Sequence, residues 1–101
     1  MIHHVVMWKL KPAAMADGQP RDVAQMREAA EAMRAAVPGL LRLELGVNQL
    51  PGADAADLVL YAEFDSWQAL AGYEVHPLHQ RFRGLVAPLR TERRSVDFES
   101  H

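Results

Sequence analysis

Period two governs the first ten residues. Ile2, His4, Val6, Trp8 and Leu10 fall on one side of an extended chain, His3, Val5, Met7 and Lys9 on the other. That alternation predicts a strand, ended by Pro12. Residues 13–20 read as a loop, with Asp17-Gly18 as the turn signal. From Arg21 the period lengthens. Val23, Met26, Ala30, Met33 and Val37 recur at three or four residues, opposite Arg27, Glu28, Glu31 and Arg34. This is an amphipathic helix, stopped by Pro38-Gly39. Alternation then returns, with Leu41, Leu43, Leu45 and Val47 against Arg42, Glu44, Gly46 and Asn48. After a loop over 50–56, a third strand runs from about 57 to 65. Leu58, Leu60, Ala62 and Phe64 lie on one side, Val59, Tyr61 and Glu63 on the other. Ser66 is a fitting N-cap for a helix through Trp67, Leu70, Ala71 and Tyr73. Pro77 breaks that helix and drives His76 out of the helical region. A short helix resumes near Leu78, carries Phe82, Leu85 and Val86, and stops at Pro88. The last strand, about 91–99, is expected to bury Val96 and Phe98.

The order β-α-β-β-α-β, with its second helix broken, predicts one α+β domain over residues 1–101. It is the split βαβ, or ferredoxin-like, arrangement: a four-stranded antiparallel sheet with helices on one face. The first and third strands are central in that topology. Their uncovered faces hold Val5, Met7, Val59 and Tyr61, and the edge strands are expected to add Arg42, Glu44, Arg93, Ser95 and Asp97 on the same side. An apolar centre inside a charged rim is the anatomy of an interface. The expected partner is a second copy of the chain, sheet against sheet; a monomer with a tolerable patch is the competing reading.

Composition narrows the function classes. The chain has 101 residues, no Cys and a formal charge of −2. The absence of Cys excludes a disulfide scaffold, a thiolate zinc site and a cysteine nucleophile. The near-neutral balance gives no electrostatic reason to expect nucleic acid or an anionic membrane as partner. No run approaches 18 uncharged apolar residues, and no basic stretch leads into an apolar one at the start. The expectation is a soluble cytoplasmic protein. Heavy use of Ala and Arg, with only Lys9 and Lys11 as lysines, suggests a bacterial source rich in G and C.

The residues best suited to chemistry are Tyr73-Glu74-Val75-His76-Pro77-Leu78-His79. A phenol and two imidazoles lie across a proline break, where helix ends leave backbone groups unpaired. Imidazole can move protons near neutrality. The bland alternative is that these rings cap helices or fill the core, and the same holds for His4, which shares its face with Val6 and Trp8. No metal is expected, because only His4 could join His76 and His79 and no acidic residue has the spacing of a further ligand. No cofactor motif is present, and Ser66, Ser95 and Ser100 fit no nucleophile motif. Arg81, Arg83, Arg90, Arg93 and Arg94 make the last third basic. They read as a solvated face, or else as a site for a carboxylate or thioester phosphate at a cavity mouth.

Several segments resemble the stress-responsive α/β-barrel (Dabb) family: Met1-Ile2-His3-His4-Val5-Val6, Val37-Pro38-Gly39-Leu40, Glu63-Phe64-Asp65-Ser66, Val96-Asp97-Phe98-Glu99 and above all residues 73–82. The resemblance spans essentially the whole chain and implies a dimeric α/β barrel. One member type, the plant cyclase that makes olivetolic acid, closes a poly-β-keto thioester by an intramolecular aldol step without a cofactor. By that resemblance His79 is the general base, and Tyr73 donates a hydrogen bond to the carbonyl oxygen as charge builds. His76 and His4 would line the cavity, with Val6, Trp8, Leu60 and Phe82 as apolar walls. The chain departs from that enzyme at Trp8, which is bulkier, and at Leu58, which replaces a polar residue; both imply a different substrate. Three readings follow: a binding protein for a small apolar or keto-type molecule, a cofactor-free cyclase or lyase, and a structural or oligomerising module with no cavity. A cofactor-free oxygenase is a more distant fourth.

Overall fold

The computed structural model describes all of residues 1–101. Strand β1 (Ile2–Leu10) is followed by a single 3₁₀ turn at Pro12–Ala14 and by a two-residue-per-strand hairpin, β2 (Met15–Ala16) and β3 (Gln19–Pro20). Asp17 and Gly18 both have positive φ, 53° and 77°, as the hairpin's tight turn requires. Helix α1 (Val23–Ala36) leads to β4 (Leu40–Val47), then β5 (Leu58–Phe64), α2 (Trp67–Val75), α3 (Pro77–Val86) and β6 (Arg90–Glu99). The main sheet has the order β4-β5-β1-β6 and is antiparallel throughout. The fold is α+β, ferredoxin-like, with three helices on one face. No helix is long and apolar enough to cross a membrane.

Alternation is realised strictly in the two central strands. Ile2, His4, Val6, Trp8 and Leu10 of β1 are buried against the helices, as are Leu58, Leu60, Ala62 and Phe64 of β5. Met26, Ala29, Ala30 and Met33 of α1 complete the core, with Leu70 and Tyr73 of α2 and Phe82 and Val86 of α3. In β4 the register slips between Leu40 and Arg42. This bulge turns Leu40 toward the core and leaves Leu41 55 % exposed, where plain alternation had placed Leu41 inside.

The larger correction concerns β6. Its register pairs His4 with Asp97, Val6 with Ser95 and Trp8 with Arg93. Arg93, Ser95 and Asp97 therefore lie on the helix side, not on the open face. Val96 and Phe98 are not buried by helices; they are 52 % and 46 % exposed on the open face, where Phe98 stacks on His3 at 4.7 Å. The physical reason is that the helices lean over β4 and β5, while the main contacts of β6 are with β1. An edge strand without a helical cover has no cause to turn its apolar side inward. Val5, Met7, Val59, Tyr61, Val96 and Phe98 thus share one uncovered surface, larger than alternation in the central strands alone implies.

The turn from α1 into β4 sets the angle of that sheet edge. Gly39 has φ of 78°, and a Cβ there would stand 2.5 Å from the Ala69 Cβ and 2.9 Å from an Asp65 carboxylate oxygen. Gly72, inside α2, has open space around it. Gly39→Ala should therefore lose about 2–4 kcal/mol through strain and overpacking together, while Gly72→Ala should gain about 0.5–1 kcal/mol of helix propensity. Urea unfolding of the two variants beside the parent checks both signs.

Candidate functional site: a phenol and two imidazoles around a half-open cavity

The site begins with a helix that cannot continue. Ser66 caps α2, its Oγ accepting from the Ala69 N–H at 3.1 Å. The helix runs to Val75 and stops because Pro77 excludes its predecessor from helical geometry; His76 sits at φ −68°, ψ 140°. Pro77 becomes the first residue of α3, where its missing N–H costs nothing. His76 N-caps α3, its Nδ1 accepting from the Leu78 N–H at 3.1 Å. In an unbroken helix the Leu78 N–H would bond the Glu74 carbonyl. Freed by the break, that carbonyl instead accepts from His79 Nδ1 at 3.0 Å and from Gln80 Nε2 at 3.1 Å.

This diversion fixes the state of His79. A carbonyl only accepts, so Nδ1 carries the proton and Nε2 keeps its lone pair in the neutral ring. Nε2 has no protein partner. Burial holds the His79 pKa below its ordinary value; the Glu74 carbonyl opposes that shift, and the nearby Arg83 cation and His4 add to it. The ring stands 4.3 Å, centroid to centroid, from that of Tyr73. Tyr73 is 1 % exposed and packs edge-on against Phe64 at 5.1 Å and His4 at 5.7 Å. Burial, with the negative charge of Glu74, drives the phenol pKa well above its usual value, so Tyr73 is a neutral donor at any physiological pH. Its hydroxyl bonds no protein atom, yet no buried side-chain polar atom is unsatisfied, so the hydroxyl opens on free space.

That space is a cavity of about 530 Å³ between α3 and the β1–β6 half of the sheet. Val6, Trp8, Leu60, Phe82 and Val86 are its apolar walls, and Tyr73 and His79 stand among them. The Trp8 indole lies tilted against Phe82 at 5.9 Å, as wall rather than plug. His4 is 3 % exposed and also reaches the cavity. Its Nδ1 donates to the Asp97 carboxylate across the β1–β6 pairing, which fixes the ring and leaves Nε2 without a protein partner. Leu58 is buried beneath the sheet surface and is not on the wall.

Seven of the eight residues singled out in the sequence therefore border one cavity: Tyr73, His79, His4, Val6, Trp8, Leu60 and Phe82. His76 does not; its ring is committed to the α3 N-terminus, and it acts on the site only through the backbone it shapes. Sequence reasoning missed Asp97 and Arg93 as neighbours of the site because it assigned β6 the opposite face. It missed the Glu74 carbonyl because a main-chain acceptor has no sequence signature. No three His, Asp or Glu side chains are placed to hold a metal ion.

Solved structures share this architecture. A protein from Bacteroides fragilis, described as dimeric, of unknown function and ferredoxin-like, superposes with a TM-score of 0.81 at 27 % identity over 98 % of this chain and 95 % of its own. One from Jannaschia, described in the same terms, has a TM-score of 0.77 at 26 % identity, covering 98 % of both chains. A Dabb family protein from Mesorhizobium loti, at 21 % identity, shares the fold with a TM-score of 0.73 over 99 % of this chain and 96 % of its own. No curated protein matches the sequence. The model of the stress responsive A/B barrel domain matches residues 2–100, and the chain belongs to that Dabb family.

Proposed function

We propose that this protein is a homodimer that takes a small keto compound into the cavity above β1 and β6. The observation that carries the reading is the pairing of a buried hydroxyl donor, Tyr73, with a neutral imidazole lone pair, His79 Nε2. Both are free of protein partners and both border one apolar-walled cavity. A carbonyl oxygen satisfies the donor, and a C–H beside that carbonyl is what the lone pair can act on.

The same pairing favours a cofactor-free enzyme over a passive binder. His79 as general base takes the proton α to the carbonyl, and the Tyr73 hydroxyl stabilises the enolate oxygen that results. The enolate is the nucleophile an aldol cyclisation needs. No step calls for a metal. The Dabb resemblance of residues 73–82 to a plant polyketide cyclase supports the assignment of roles. The Trp8 wall argues for a smaller substrate than that enzyme takes.

Dimerisation is supported by the uncovered apolar face of the sheet, where Met7, Val96 and Phe98 stand 43 %, 52 % and 46 % exposed around Val5, Val59 and Tyr61. Relatives of the same fold described as dimeric support it too. Arg42, paired with Glu44 at 2.6 Å and lying over the Tyr61 ring, belongs to the polar rim. In sedimentation the parent should run as a dimer of the 11.3 kDa chain, and Met7→Glu combined with Phe98→Glu as a folded monomer. A parent that is monomeric at micromolar concentration overturns the assembly.

The enzyme reading is checked by proton exchange into 2-octanone and 2-oxooctanoate in heavy water, followed by NMR. The parent should accelerate loss of the protons next to the carbonyl. His79→Ala should lower that rate by about 10²–10⁴-fold, and Tyr73→Phe by about 10²-fold. Because burial holds the His79 pKa below the ordinary imidazole value of 6.5, the rate should fall with acid at a lower pH than an ordinary imidazole base would give. Binding without exchange leaves the passive binder; no binding of either ketone leaves a structural module.

A further inference from the structure

The arginines divide into two sets. Arg34 bonds Glu31 at 2.8 Å, Arg42 bonds Glu44 at 2.6 Å and Arg81 bonds Glu28 at 3.2 Å. Arg21, Arg27 and Arg94 donate to main-chain carbonyls at 2.9–3.0 Å. The remaining three have neither: Arg83 and Arg90 donate to no protein acceptor, and Arg93 reaches only the Ser95 hydroxyl, at 3.4 Å. These three are also the arginines that border the cavity. They arrive from two elements, Arg83 one turn beyond His79 on α3, Arg90 and Arg93 on β6.

None of the three forms an ion pair. Glu74 is the one carboxylate on the cavity wall, and it makes no ion pair. Asp97 is engaged by His4. Six other arginines find acceptors on the same small surface; these three are exposed, lack a strong protein acceptor and share one location at the cavity. Their charge is felt at the chemistry: Arg83 disfavours protonation of His79, and Arg93 eases the burden on the Tyr73 hydroxyl. A guanidinium with open donors binds a carboxylate through two parallel hydrogen bonds.

From this clustering we infer that the ligand is an organic anion, a keto acid whose carboxylate is held by Arg83, Arg90 and Arg93 at the cavity mouth while its apolar chain lies against Trp8 and Phe82. The inference rests on the keto-binding reading above and adds the charge of the ligand to it. It also supplies orientation: a carboxylate anchored at the mouth turns the neighbouring carbonyl toward Tyr73 and His79 rather than away from them.

Calorimetry with 2-oxooctanoate and 2-octanone tests it, since the two share a ketone and differ in the carboxylate. The full-length protein should bind 2-oxooctanoate at least tenfold more tightly, and the preference should shrink as salt rises. Arg83→Gln with Arg93→Gln should reduce the ratio of the two affinities to within twofold, with folding verified by circular dichroism. Arg34→Gln, which removes a positive charge outside the cavity lining, should keep the ratio. Equal binding of the two ligands by the parent overturns the anion site and leaves keto binding standing, as does a ratio that survives the double substitution. Failure of both ligands to bind removes the keto reading itself. Displacement of 2-oxooctanoate by inorganic phosphate more readily than by acetate overturns the carboxylate assignment in favour of a phosphate.

Discussion

A proline without an N–H, at position 77, is the constraint from which the site descends. It cannot complete the α2 ladder and it forbids helical geometry to His76. The chain must turn there, and the turn leaves one carbonyl, that of Glu74, with no helical donor. Two side chains of the next helix answer it. One of them, His79, is thereby oriented and given a defined tautomer. The same break lets α3 set off in a new direction, so that Phe82 and Val86 can close on the sheet while Tyr73, from the other helix, keeps its ring beneath them. A straight helix over residues 67–86 would place His79 about a turn and a half from Tyr73. Its Nδ1 would then have no carbonyl to hold it, since every one would be engaged in the ladder. His76 earns its place here as a cap, not as a ligand.

Uneven cover is the second organising fact. Three helices cannot span four strands equally, and these lean toward β4 and β5. Over β5 the result is a closed core of Leu58, Ala62 and Phe64, with Leu60 at the cavity wall. Over β1 and β6 the result is a cavity whose floor is apolar and whose outer wall is polar. The single strand β6 serves both surfaces. Its Arg93, Ser95 and Asp97 lie on the helix side, with Arg93 bordering the cavity, and its Val96 and Phe98 face the open side of the sheet. Register therefore couples the two: a one-residue slip of β6 would put the Asp97 carboxylate and the Arg93 guanidinium on the apolar face and take Arg93 from the cavity.

Much of this was legible before any coordinates. The period-two runs at Ile2–Leu10 and Leu58–Phe64 have clean apolar sets that mark both strands, the β-α-β-β-α-β order makes those strands central, and the Tyr73–His79 segment marks the helix break beside the cavity. What was not legible has a common cause. Alternation separates the two faces of a strand but does not say which face looks inward; that is decided by where helices sit. In β6 both faces are mixed enough that the default, apolar inward, gave the wrong side. Leu41 failed for a related reason, since a bulge inserts one residue without leaving a mark in the pattern. Asp97 became visible as a partner of His4 only through the pairing register of strands more than ninety positions apart.

The electrostatics of the site have an internal logic that burial alone would not produce. Burial disfavours any charged form, so it raises a phenol and lowers an imidazole. Applied to neighbours whose rings are 4.3 Å apart, it separates their roles: one stays protonated and donates, the other stays unprotonated and accepts. The cations at the mouth act on the pair unequally. Arg83 pushes His79 further toward the neutral base, while Arg93 works against the effect of burial on Tyr73, favouring negative charge near the phenol oxygen. A positive mouth above a neutral donor and a neutral acceptor is an environment in which charge developing on a bound oxygen is stabilised from two directions. A core that needed only to be filled would gain nothing from such an arrangement; the Tyr73 hydroxyl and the guanidinium groups of Arg83 and Arg90, none with a protein acceptor, fit the keto acid proposed above.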